Sequence, residues 1–304
     1  MINQCFIIAE AGVNHDGSLE KALALVDAAK DTGCDAIKFQ TFNTERVITK
    51  DADLANYQKS NLDKETQLEM LKRLELTLSD FKIIKQNCDR IGIEFMSTAS
   101  DEISLKELLF IGIERIKIGS SDIDNKYLMK LSAESGLPVY LSTGMANMKE
   151  ISRAYNYLIN HETCGPITVL QCTSQYPCPN EYINLNVIDT FKSKFKNVGF
   201  SDHSSGLIAA VGAVAKGATV IEKHFTLDKT LYGPDHKASL EPEEMKLFVK
   251  NIRELTNALG THKKTVQKCE AFNRTLMRKS LQEDAKGQKY LMRPSLAGTN
   301  PWER

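Results

Sequence analysis

Residues 5–41 read CFIIAEAGVNHDGSLEKALALVDAAKDTGCDAIKFQT. An apolar β-type run from Cys5 gives way to a stretch with helical spacing, then returns as a second β-type run from Ala36. Ser18 stands where a helix N-cap belongs, and Gly33 stands where the helix should stop. The same unit recurs along the chain. Further β-type runs are IEFMSTA from Ile93, ERIKIGS from Glu114, PVYLSTG from Pro138, ITVLQCTS from Ile167, NVGFSDHS from Asn197 and ATVIEKHFT from Ala218. Strands alternating with helices imply a parallel sheet. Eight such units ending near Gly260 fit a closed (β/α)₈ TIM barrel, an α/β fold of about 250 residues. An open doubly wound sheet is the rival; it needs a switch-point crevice and usually has fewer units. The expected organisation is a barrel over residues 1–260 and a C-terminal arm over 261–304, too short to build its own core.

Composition narrows the function. The chain has 304 residues, with 39 Lys+Arg against 39 Asp+Glu, so its formal net charge is +0. That balance removes the electrostatic case for nucleic acid or an anionic membrane as the main partner. No apolar run is long enough to span a bilayer. The N-terminus lacks a basic start and a cleavage site, and its apolar run reads as a first strand. The 7 cysteines include no C-x-x-C pair, which argues against both a disulfide framework and a cysteine-rich zinc site. A reduced, cytoplasmic protein is expected. There is also no G-x-x-x-x-G-K-[ST] loop, no dinucleotide fingerprint and no G-x-S-x-G elbow.

A barrel puts its chemistry at the carboxyl ends of the strands. Those ends are polar here: Glu10; Lys38 and Gln40; Ser97 and Thr98; Lys117 and Ser120; Ser142 and Thr143; Thr173 and Ser174; Ser201, Asp202 and His203; Glu222 and His224. Alternation puts Lys38 with Gln40, Ser201 with His203 and Glu222 with His224 on shared faces. Lys38 and Lys117 sit inside apolar strands, where an unpaired ammonium is costly. They read as ion pairs with Glu10 or Glu222, as an anion cradle for phosphate and carboxylate, or as a Schiff-base lysine. His203 and His224 end adjacent strands and either converge on one metal ion or are ordinary buried histidines. Of the other histidines, His15 reads as a turn contact and His236 as a weaker ligand candidate. From Phe42 to about Lys64 a long polar connection hangs over the expected mouth, as a surface excursion or as a lid. Within it, Tyr57 and Gln58 are the residues able to face a ligand.

Taken together, IIAEAGVNHDGS, IKFQT, MSTASD, RIKIGSSD, LSTGMA, QCTSQYPCP, GFSDHSSG, EKHFTLDKT and GPDHKASLEP resemble the sialic acid synthase (N-acetylneuraminate synthase) family from about residue 5 to 280. The resemblance implies condensation of phosphoenolpyruvate with an N-acetylated amino sugar, N-acetylmannosamine or a diacetamido-trideoxyhexose, giving a nonulosonic acid and phosphate. It implies His203 and His224 as metal ligands, with Mn²⁺ the expected ion and Mg²⁺ or Co²⁺ as substitutes. Lys38, Thr98, Lys117, Ser120 and Ser201 fall where the donor is held, with Ser174 where the family often has Asn; Ser142, at a strand end, is a further substrate-binding candidate. Glu10, Gln40, Tyr176, Glu222 and Asp235 fall around the sugar and metal, the three carboxylates being the candidates for proton transfer. Arg293, in MRPSLAG, matches the arginine that contacts the acceptor N-acetyl group. Family members append an antifreeze-like domain after the RKSL-type segment and dimerise through it. Here RKSLQEDAKGQKY runs quickly into MRPSLAGTNPWER, so a remnant of that domain and a weakened homodimer are expected. Two other readings stay open: a Schiff-base aldolase using Lys117 or Lys38, and a barrel that binds without turnover.

Overall fold

Eight strands close the barrel: Phe6–Gly12 (β1), Ala36–Thr41 (β2), Glu94–Ala99 (β3), Ile116–Ile118 (β4), Val139–Ser142 (β5), Ile167–Cys172 (β6), Asn197–Asp202 (β7) and Val220–His224 (β8). They are ordered β1 through β8, all parallel, and β1 pairs with β8 to complete the circle. The computed structural model describes residues 4–55, 58–59, 65–296 and 302. The (β/α)₈ expectation is met. The runs are nearly all apolar because helices cover the outside while the opposite face fills the barrel.

The first helix shows why the local pattern worked. It spans Leu19–Asp31, buries Ala22, Leu25, Val26 and Ala29 on one face, and is capped by the Ser18 side chain, which accepts from the Lys21 backbone N–H. Gly33 follows with φ +83°, a left-handed turn that suits a residue without Cβ.

Strand alternation separates the two larger apolar clusters of the described residues. The larger packs the outward strand residues against the helices. The smaller lies inside the barrel and consists of Ile8, Ala36, Met96, Tyr140, Leu170 and Val220, with Phe6 against it. Two residues further along each of those strands stand Glu10, Lys38, Thr98, Ser142, Cys172 and Glu222. The barrel is therefore apolar in its lower layer and polar in the layer beneath its carboxyl-end mouth.

The chain divides into two compact units, residues 1–259 and 260–304. In the second, a short helix, Ala271–Met277, precedes an antiparallel hairpin of Ser280–Glu283 (β9) and Lys289–Met292 (β10). The hairpin turn uses Gly287 at φ +76°. Among the described residues no helix is long and apolar enough to cross a membrane.

His15 is fully enclosed, and its Nδ1 accepts from the Gly17 N–H, which is the turn contact expected of it. Burial pushes this imidazole down to about 4. Its unfolded value lies near 6.5, so the stability it contributes is complete above that pH and is lost as pH falls toward 4, by up to ~3 kcal/mol. Urea titrations across pH 7 to 4 should therefore show a smaller acid loss in His15→Asn than in the parent. Equal slopes would contradict a neutral buried His15.

Candidate active site

A cavity of about 380 Å³ opens at the carboxyl end of the barrel. Its floor is a buried charge cluster. Lys38 Nζ lies 2.6 Å from Glu10 Oε2 and 3.7 Å from Glu222 Oε2, and Lys117 Nζ lies 3.2 Å from Glu222 Oε1. Register makes these meetings: Glu10 is the partner of Lys38, and Thr98 is the partner of Lys117. Lys38 also donates to Thr98 Oγ1 at 2.7 Å, Gln40 Nε2 to Glu10 at 3.2 Å, and Ser201 Oγ to Glu222 at 2.9 Å. The ion-pair and ligand-facing readings of the lysines are thus compatible, since the same paired side chains line the cavity.

One flank is built of small hydroxyls. Ser120 lies in a turn just past β4, not in the strand, and its Oγ accepts from the Gly144 N–H at 3.0 Å. Ser142 Oγ is buried without a hydrogen-bond partner among the described residues, a costly state that a bound ligand would relieve. Ser174 completes this flank. A Cβ on Gly144 would lie 2.2 Å from Ser174 Oγ and 2.9 Å from Ser120 Oγ. Gly144 was not singled out from the sequence, because its need for a bare backbone comes from loops that meet only in the fold.

The imidazoles of His203 and His224 face each other with ring centroids 5.5 Å apart, and Tyr176 packs 4.2 Å from His203. The Thr173 carbonyl lies 2.7 Å from His203 Nδ1. A carbonyl only accepts, so Nδ1 carries the hydrogen and Nε2, 3.5 Å from Ser201 Oγ, holds the lone pair when the ring is neutral. Behind the pair, Asp202 and Lys223 form a salt bridge of 3.0 Å with both side chains 0% exposed. Lys223 donates to the Ser204 carbonyl and Asp202 accepts from the Ser204 N–H, which fixes the turn carrying His203. Strand parity could have signalled this pair: charges on the outward face of a covered strand need a partner.

Asp235 joins the cavity from the loop after β8, and Gln58, Met70, Leu71, Leu74 and Val13 form its less polar rim. Gln58 thus sits where the lid reading expected it; Tyr57 lies outside the described residues. Within the segment a short helix spans Thr44–Val47, and a longer one, Gln67–Leu74, follows it. Arg293 follows β10 in the C-terminal unit.

A model of the NeuB family matches residues 25–264. The chain belongs to the NeuB family. It is 43% identical over 282 residues to N,N'-diacetyllegionaminic acid synthase of Legionella pneumophila, covering 91% of this chain and 79% of that one. It is 35% identical over 270 residues to human N-acetylneuraminate-9-phosphate synthase, covering 88% and 74%. A crystal structure of N-acetylneuraminic acid synthetase from Leptospira borgpetersenii superposes with a TM-score of 0.81 at 37% identity, covering 89% of this chain and 90% of that one.

In this NeuB-family barrel the two floor carboxylates differ sharply. Burial pushes Glu10 up to about 7, against the pull of Lys38. Burial would raise Glu222 too, but Lys117 and Lys38 outweigh it and hold that carboxyl at about 2. Asp235 is pushed up to about 6 by burial. Carboxylates set apart in this way suit different tasks, Glu222 as a fixed counter-charge and Glu10 as a group that exchanges a proton near neutrality. Burial and the neighbouring His203 hold His224 well below the ordinary imidazole range, leaving it neutral. Among the described residues no set of three or more His, Cys, Asp or Glu converges as metal ligands. Two imidazoles, one with its Nδ1–H tied to a carbonyl, still fit a divalent ion whose other positions stay open.

Proposed function

We propose that this chain condenses phosphoenolpyruvate with an N-acetylated amino-sugar aldehyde, forming a nonulosonic acid and releasing phosphate. The observation that carries this reading is the Glu10–Lys38–Glu222–Lys117 cluster beneath a hydroxyl flank and beside two facing imidazoles, in a NeuB-family barrel. Lys38, Lys117, Thr98, Ser120, Ser142, Ser174 and Ser201 are assigned to the donor, whose phosphate and carboxylate need clustered cations and hydroxyl donors. Gln40, Tyr176 and Asp235 are assigned to the acceptor.

His203 and His224 are the residues suited to a divalent ion, Mn²⁺ in this proposal, which would supply Lewis-acid polarisation of the acceptor aldehyde. C3 of phosphoenolpyruvate attacks the aldehyde carbon, water adds at C2, and C–O cleavage expels phosphate. Glu10 is the group assigned to move the proton, while Glu222 is the shared counter-charge of both lysines. Holding two substrates in register supplies much of the acceleration. No covalent lysine intermediate is needed.

The test is phosphate release from phosphoenolpyruvate with Mn²⁺, with and without EDTA. N-acetylmannosamine and a diacetamido-trideoxyhexose are supplied separately. The second acceptor is included because relatives named N,N'-diacetyllegionaminic acid synthase share 43% identity with this chain. Release requiring both sugar and metal supports the proposal. EDTA-resistant turnover with borohydride trapping on Lys117 or Lys38 would replace it with a Schiff-base aldolase. Donor binding without release from either sugar would favour a non-catalytic barrel.

Gly144→Ala gives a sharper check of the donor flank. Overpacking of this kind costs about 1–3 kcal/mol, so the KM for phosphoenolpyruvate should rise about tenfold or more while the fold survives. Steady-state kinetics at saturating acceptor measure it, and an unchanged donor KM would move the donor away from Ser120 and Ser174.

A further inference from the structure

We infer that His236 is a positioning residue that fastens the loop bearing Asp235 to the loop after β1, and so sets the acceptor side of the cavity. The inference rests on the assignment of Asp235 to the acceptor. The loop after β8 leaves and returns at one place: Phe225 bridges Leu240, the Thr226 N–H donates to the Leu240 carbonyl, and the Leu240 N–H donates to the His224 carbonyl. Between these points the chain makes an excursion, and Asp235 is the carboxylate it delivers to the cavity. Asp235 approaches Gly12 on the wall carrying Glu10 and Gln40.

His236 is 0% exposed, so it cannot itself touch substrate. Both of its ring nitrogens are engaged. Nε2 lies 3.0 Å from Asp16 Oδ1, and Nδ1 lies 2.7 Å from Thr226 Oγ1. An ionised carboxylate only accepts, which places a hydrogen on Nε2 and leaves Nδ1 to accept from the Thr226 hydroxyl in the neutral ring. Asp16 is held in turn by Lys21 at 2.7 Å, in a left-handed backbone conformation, φ +53°. That conformation is uncommon for a residue with a side chain and persists where surroundings over-determine it. The backbone of Gly233 lies against the imidazole; a Cβ there would come within 2.7 Å of His236 Cδ2.

A second set of bonds runs parallel to the first. Asn14 Nδ2 donates to the Phe225 carbonyl and to Ser239 Oγ, both at 2.9 Å, and Ser239 Oγ donates to the Asp235 carbonyl at 2.7 Å. The Asp235 carbonyl is thus held through Ser239 by Asn14 of the β1 loop, and the next side chain, His236, by Asp16 of the same loop. Loosening His236 would leave the donor cluster in place, because none of its contacts reach Lys38, Lys117 or the hydroxyl flank, while freeing the carboxylate at the acceptor end.

The test combines amide exchange with kinetics on the full chain. In His236→Ala, hydrogen–deuterium exchange over residues 227–239 should rise about tenfold or more, with the barrel strands unchanged. The acceptor KM should rise about tenfold while the phosphoenolpyruvate KM stays within about twofold, since small misplacements of a positioning contact are that costly. His236→Gln, which can still donate to Asp16, should restore most of both effects. Unchanged exchange in the loop, or equal changes in both KM values, would overturn the inference. Asp235→Asn is run alongside. If it leaves the acceptor KM unaltered while loop exchange rises in His236→Ala, the anchor stands and the assignment of Asp235 fails.

Discussion

His203→Ala is expected to lower turnover by on the order of a hundredfold or more and to weaken Mn²⁺ binding comparably. The variant removes the imidazole whose Nδ1 is tied to the Thr173 carbonyl, and with it the better oriented of the two nitrogen donors. The fold should persist, because His203 lines the mouth and the Asp202–Lys223 pair that fixes its turn is untouched. Calorimetric titration of the metal, phosphate release and circular dichroism together give the result. Lost metal affinity with full turnover would take the metal out of the reaction. Retained affinity would take His203 out of the metal site.

Glu222→Gln should act first on stability. Glu222 is the shared counter-charge of Lys117 and Lys38 and the acceptor for Ser201, and it is 4% exposed. Removing one partner of a buried ion cluster typically costs about 3–5 kcal/mol, and here Lys117 loses the carboxylate it is paired with. A melting temperature lower by roughly 5–10 °C follows. The same change leaves the floor with surplus positive charge, so phosphate or phosphoenolpyruvate should raise the melting temperature more in the variant than in the parent. Equal ligand shifts would show that the lysines do not face the anion.

These two variants separate features that differ in how they could be read. The facing histidines, the two strand lysines and the carboxylates at strand ends were legible because strand alternation is a local rule. Once β8 is a strand, Glu222 and His224 share a face whatever surrounds them. The helix after β1 was legible for the same reason, from Ser18, Gly33 and the spacing between. Less legible were distances between strands. That Lys38 bonds Glu10 directly, while Glu222 serves both lysines, follows from register around the closed sheet. Burial raises both Glu10 and Glu222, and the pull of Lys117 and Lys38 together then divides them, two residues of the same type that sequence could not rank.

By itself the sequence determined the alternation of elements, the barrel, the polar layer at the strand ends and the membership signalled by motifs spread along the chain. Each rests on patterns within a few residues or on their order. Only the tertiary structure decided that Gly144 lies too close to Ser174 and Ser120 for a side chain, that Asp202 and Lys223 back the histidines, and that His236 ties the last loop to Asp16. Those contacts join residues from different strands and loops. Their energies depend on burial and sub-ångström distance, which the chain acquires only when β1 closes against β8.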